Sequence, residues 1–144
     1  MQAYAAYPDE TAGVVALNPV PPWQEWSTLG FEEMTPRERQ GETDYYVGAN
    51  GESLDYRAVS QLIAGSPVPS DVPLHVLIST VAQCSSLQDI CGRTYPAYEQ
   101  IAKDLAQQWG EGRFSQVEAP HEIHLADMEA VQRAIDDVIS RSRT

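Results

Sequence analysis

Two hydrophobic periods alternate along the chain. Gly13-Val14-Val15-Ala16-Leu17 and Leu74-His75-Val76-Leu77-Ile78-Ser79 are short, almost wholly apolar runs. Such runs predict strands covered on both faces, as in the interior of a parallel sheet. A third run, Phe114-Ser115-Gln116-Val117, carries strand-type residues and leads into a turn at Pro120-His121. Elsewhere the period lengthens to that of a helix. Tyr98, Ile101, Ala102, Leu105 and Trp109 form one stripe, closed by Gly110 and Gly112. Met128, Val131, Ala134, Ile135, Val138 and Ile139 form another. Residues 53–63 predict a shorter helix with Leu54, Ala58, Leu62 and Val59 inward, ended by Gly65-Ser66-Pro67. Residues 2–7 read as the last turns of a helix stopped by Pro8, too abrupt to be a natural beginning.

Between the first and second strands the pattern weakens. Residues 23–63 are polar with scattered aromatics, among them Trp23, Trp26, Phe31, Tyr45 and Tyr46, and predict a lid-like insert. Within it Thr35-Pro36-Arg37-Glu38 is a helix start: a threonine cap, proline at the first helical position and a glutamate placed to close a capping box. Residues 80–93 predict a long polar loop beyond the second strand. Strand, insert, strand, helix, strand, helix is the alternation of a parallel sheet with covering helices, hence an α/β fold. Three visible strands are few for such a sheet. Their apolar edges call for further strands, an oligomer or a partner chain.

Composition narrows the class. The 144 residues are 42% hydrophobic, enough for a core and the length of one domain. Acidic residues outnumber basic ones 21 to 9, a formal charge of −12 that argues against nucleic-acid and anionic-membrane partners. No apolar run is long enough to span a bilayer. Cys84 and Cys91 offer one pair where tetrahedral zinc takes four ligands, so no metal and no cofactor is expected. The pair fits a local disulfide of a secreted protein as well as two thiols of a cytoplasmic one, and the compartment stays open.

The candidate chemistry lies in the residues after the third strand. His121 follows the turn-forming Pro120 at the strand end and can act as a general base if a nucleophile and a carboxylate meet it. His124, nearer the helix, reads as a site-wall or structural residue, and His75, inside its strand, as part of the packing.

Pro120-His121-Glu122-Ile123-His124-Leu125, running into Met128-Glu129-Ala130-Val131, resembles the C-terminal signature of the α/β-hydrolase fold family, with Pro120 where that family has glycine. Tyr4-Ala5-Ala6-Tyr7-Pro8-Asp9, the apolar run to Leu17 and the Asn18-Pro19 step are similar to the segment that follows the family's nucleophile helix. Leu74 to Ser79 is similar to its penultimate strand. The resemblance implies an incomplete, C-terminal portion of a three-layer α/β-hydrolase domain, occupying residues 1–144. It implies His121 as triad base and Asp89 as the acid, the first carboxylate past the second strand, with Asn18 as an alternative orienting residue. The family's Gly-x-Ser-x-Gly elbow is absent from these residues, so the nucleophile would lie upstream. Ser79, Ser85 and Ser86 are the serines to test for an unrecognised one. Two readings follow. One is the base-bearing part of a serine hydrolase for a small apolar ester or amide, inactive alone. The other is a truncated, non-catalytic hydrolase-like interaction protein.

Overall fold

The computed structural model describes residues 10–65 and 71–142. The helix end expected over residues 2–7 and the turn at Ser66-Pro67 lie outside the described residues.

Three parallel strands, β1 (Val14–Leu17), β2 (Leu74–Ser79) and β3 (Gly112–Val117), form one sheet in the order β1-β2-β3. Central β2 is apolar but for His75 and Ser79 because both of its faces are covered: Leu74, Val76, Ile78 and Ser79 are wholly buried. Helix α4 (Ile90–Gln108) covers one face. There Val76, Ile78, Tyr95, Ala102, Leu105 and Trp109 form the main core. On the other face Leu77 packs with Ile123, Ala130, Val131 and Ala134 from α5 (Ile123–Ala126) and α6 (Met128–Ser142). The small α/β fold and all three strands thus follow the hydrophobic pattern.

Two boundaries differ from expectation. Helix α4 begins at Ile90, inside the stretch expected to be a loop, because the Asp89 carboxylate caps it by accepting from the Gly92 amide at 2.9 Å. A disulfide joins Cys84 to Cys91 across that start. Gly112 opens β3 rather than closing the helix. A Cβ there would come within 1.7 Å of the Ala106 carbonyl oxygen, so only glycine permits this close return.

Residues 23–64 form a separate helical layer. A short helix, α1 (Trp23–Glu25), widens into a π turn over Trp26–Gly30. Next come α2 (Pro36–Tyr46), with its capping box formed by Thr35 and Glu38, and α3 (Tyr56–Ala64), capped by Asp55. The aromatics of this layer make a small core of their own: Trp26, Met34 and Tyr46 pack on Ile101 of α4. The inward face of α3 is Tyr56, Val59, Ser60 and Ile63, whereas Leu54, Ala58 and Leu62 are exposed. The same correction applies at the ends of α6, where Met128 and Ile139 face solvent and Ala130 takes a core position.

At the N-terminal end of the strands, α6 is fastened to the sheet by a polar chain. His75 lies between Asp137 (Nδ1 to Oδ2, 2.9 Å) and the Ser115 hydroxyl (Nε2 to Oγ, 2.6 Å). Asp137 also pairs with Arg113 and with Arg141, which donates to the Leu74 carbonyl at 3.1 Å. These residues share the types of a serine triad. They line neither of the two clefts described below and bind β2, β3 and α6 together, which makes His75 a packing residue. Burial pushes the Asp137 carboxyl up, but hydrogen bonds from His75 and Arg141 and the nearby arginine charges outweigh it and hold the group below its usual range. A lowered folded value stabilises the fold at any pH above the unfolded value, and that contribution disappears as pH falls through the folded value. Chemical denaturation of Asp137→Asn at neutral pH should show a loss of about 1–3 kcal/mol. The loss should begin to shrink below about pH 4, the ordinary aspartate value of the unfolded chain, and vanish only once pH has fallen through the lowered folded value.

Candidate functional site

The C-terminal ends of the three strands converge on one buried amide. Asn18 follows β1 with its backbone N–H on the Leu77 carbonyl at 2.9 Å, and then turns out of the ladder with φ at +40°. Asparagine tolerates this left-handed region better than most residues. Its side chain, 8% exposed, is fully used. Oδ1 accepts from the Ser79 amide at 2.8 Å, and Nδ2 donates to Ser79 Oγ at 2.9 Å and to the His121 carbonyl at 2.7 Å. Ser79 Oγ in turn donates to the Pro120 carbonyl at 3.0 Å, and the Ser79 carbonyl accepts from the Tyr95 hydroxyl at 2.9 Å. One side chain therefore joins the end of β1, the end of β2 and the turn that carries His121. The ring of His121 is exposed, and His124 sits in α5, also exposed.

Asp89 lies outside this network. One carboxylate oxygen caps α4 and the other accepts from Ser85 Oγ at 2.6 Å and the Ser86 amide at 2.8 Å. The Ser85 hydroxyl foremost, with the Gly92 and Ser86 amides and the Arg93 charge, holds its pKa below the usual range. Among the described residues no hydrogen bond joins Asp89, or any other carboxylate, to His121. The resemblance gives Asp89 the leading role and Asn18 a minor one; the side-chain hydrogen bonds to the histidine turn come from Asn18, at the His121 carbonyl, and from Ser79, at the Pro120 carbonyl. The available signal was an asparagine at the end of an apolar strand just before proline, where a left-handed residue with a two-way amide fits. Of the serines open to test as nucleophiles, Ser79 is wholly buried with its hydroxyl engaged, and Ser85 and Ser86 bond within their own loop.

The helical insert stands over this junction. Between them lies a cleft of about 290 Å³ whose lining includes Asn18, His121, Gln83 and the insert residues Trp26, Glu42 and Tyr46. Trp26 Nε1 donates to Glu42 Oε2 at 2.9 Å, and the Tyr46 hydroxyl donates to the Pro21 carbonyl at 2.7 Å, so the insert is tied to the strand exit beneath it. Gly30 lies against the ring of Trp26: a Cβ at that position would come within 2.6 Å of it. A second cleft, about 520 Å³, runs between α3, the Pro19–Pro22 exit and the far end of α4.

Among the described residues no group of three or more His, Cys, Asp or Glu side chains could hold a metal ion, and no helix is long and apolar enough to cross a membrane. Comparison with known proteins gives no match: no protein-family model, no curated protein and no solved structure corresponds to the chain.

Asn18→Ala removes the acceptor of the Ser79 amide and the donor to the His121 carbonyl, and leaves a left-handed residue without side-chain support. Urea unfolding should show a loss of about 1–3 kcal/mol. Amide hydrogen exchange should quicken at Ser79 and around His121 while α6 keeps its protection. Unchanged exchange there would mean that the amide does not hold the turn.

Proposed function

We propose that this chain is the base-bearing, C-terminal portion of an α/β-hydrolase-like serine hydrolase acting on a small ester or amide. The observation that carries the reading is the position of His121. It stands in the first turn past the last strand, at the C-terminal end of a parallel sheet, beside a cleft covered by an aromatic insert. In open parallel sheets ligands bind beyond the C-terminal strand ends, on loops held by a rigid scaffold. The order β1-β2-β3, with one helix layer on each face, agrees with the end of such a domain.

In this reading His121 takes the proton of a serine supplied by an upstream segment and returns it to the leaving group. Asn18 is a positioning residue that fixes the turn through the His121 carbonyl rather than through the imidazole. The insert of residues 23–63 serves as the lid and encloses the apolar part of the substrate. The outer edge of β1 receives the neighbouring parallel strand, from upstream sequence or from a partner chain.

One observation favours the second reading, a non-catalytic hydrolase-like interaction protein: the absence, among the described residues, of a carboxylate bonded to His121. A single experiment separates the two. The protein as produced by its own gene is captured with an antibody to this chain, treated with a fluorophosphonate probe and analysed for a labelled serine. The hydrolase reading expects labelling in the captured polypeptide or complex, and a loss of about a thousandfold or more in labelling rate for His121→Ala. It also expects no labelling of residues 1–144 alone. Labelling indifferent to His121→Ala, or none in the captured material, would leave the interaction protein as the function.

A further inference from the structure

The chemistry of the cleft beside His121 is specific in a way that a general apolar acyl pocket is not. Its walls are aromatic, with Trp26, Tyr45 and Tyr46 from the insert and Tyr95 and Tyr98 from α4. Burial raises the pKa of Tyr46, Tyr95 and Tyr98, so these phenols stay neutral. The hydroxyls of Tyr46 and Tyr95 are committed to backbone carbonyls of Pro21 and Ser79, and both residues are buried, so they back the wall while Tyr45, whose ring packs against that of Tyr46, is the exposed one.

Among the lining residues Glu42 is the one acidic side chain, and neither lysine nor arginine is among them. Glu42 is half-buried, and its Oε2 accepts from the indole N–H of Trp26. No lysine or arginine among the described residues forms an ion pair with it, although Glu38 on the same helix pairs with Arg93 at 2.6 Å. A half-buried carboxylate without a cation, set among π faces, is complementary to an organic cation. The ring quadrupoles and the carboxylate attract it, while the low-dielectric walls strengthen both effects. The net charge of −12 adds a long-range field of the same sign.

We propose that this cleft binds an alkylammonium group, carried by the ester or amide that His121 would help to cleave, between Glu42 and the rings of Trp26 and Tyr45. The assignment rests on reading this cleft as the substrate site, but binding is measurable without turnover, so the two can fail separately.

The test is calorimetric titration of the whole chain with choline and with its uncharged isostere, in which a tert-butyl group replaces trimethylammonium. Choline should bind at one site and more tightly than the isostere by about tenfold or more. Glu42→Gln, which keeps an acceptor for the Trp26 indole, should weaken choline by a similar factor and leave the isostere unchanged. Glu129→Gln, on the exposed face of α6, should change neither. If Glu42→Gln proves unfolded by circular dichroism, Tyr45→Leu supplies the reading, because Tyr45 is 38% exposed and its loss removes one wall. Equal affinity for choline and isostere, no saturable choline binding, or choline binding indifferent to the variant that folds would overturn the proposal. Choline binding of the expected kind, with no fluorophosphonate-reactive serine in the captured protein, would keep the cation site and remove the hydrolase.

Discussion

Everything in this fold follows from burying β2 on both faces. A strand with no solvent side must give every backbone and side-chain polar atom a partner within the protein. Its apolar residues met that demand by drawing α4 to one face and α6 to the other. Its two polar residues, His75 near one end and Ser79 at the other, met it by recruiting hydrogen bonds. At the N-terminal end this produced the His75–Asp137–Arg141 chain that fastens the last helix. At the C-terminal end it produced the Asn18 amide node, and the turn bearing His121 is part of that node. The placement of the candidate base is therefore a by-product of satisfying a buried serine.

The two ends of the sheet offer a useful contrast. Ser115, His75 and Asp137 have hydrogen-bond distances a catalytic triad would have, yet they hold a helix in place and Asp137 is shared with two arginines. His121 has no carboxylate partner among the described residues, yet it opens on a cleft. Function is better judged from access and position than from residue types in contact.

Much of the architecture was legible in the sequence. The run from Leu74 to Ser79 forms a strand with the expected bounds, since a continuous apolar stretch ended by polar residues admits few other fates. The stripe from Tyr98 to Leu105 also forms as expected, because its spacing fits one helical face, and Trp109 packs on the same core from just past the helix end. The failures were at edges and caps. Residues 80–93 read as a loop because serine, cysteine, glutamine and aspartate carry no apolar period, and the departure is at Ile90 to Arg93; the helix start there is set by one oxygen of Asp89 as a cap, while the other is engaged by Ser85 and Ser86. On α3 the periodicity offered two neighbouring faces, and the choice depended on where the rest of the insert lay, which local pattern does not encode. Glu42 is hidden for the same reason: in sequence it is one acid in a polar helix, and its company of aromatics exists only after α2 and the π turn at Trp26–Gly30 fold onto α4.

The π turn at Trp26–Gly30 places an evolutionary constraint on this cleft that does not touch the cleft itself. The indole of Trp26 can stand beside Glu42 only while position 30 lacks a side chain. A single methyl group added there, outside the lining, would come within 2.6 Å of the Trp26 ring, so the ring or the turn must shift and the wall beside Glu42 with it, with every lining residue unaltered. Variation in what this cleft accepts is therefore available through one codon that an inspection of lining residues would overlook.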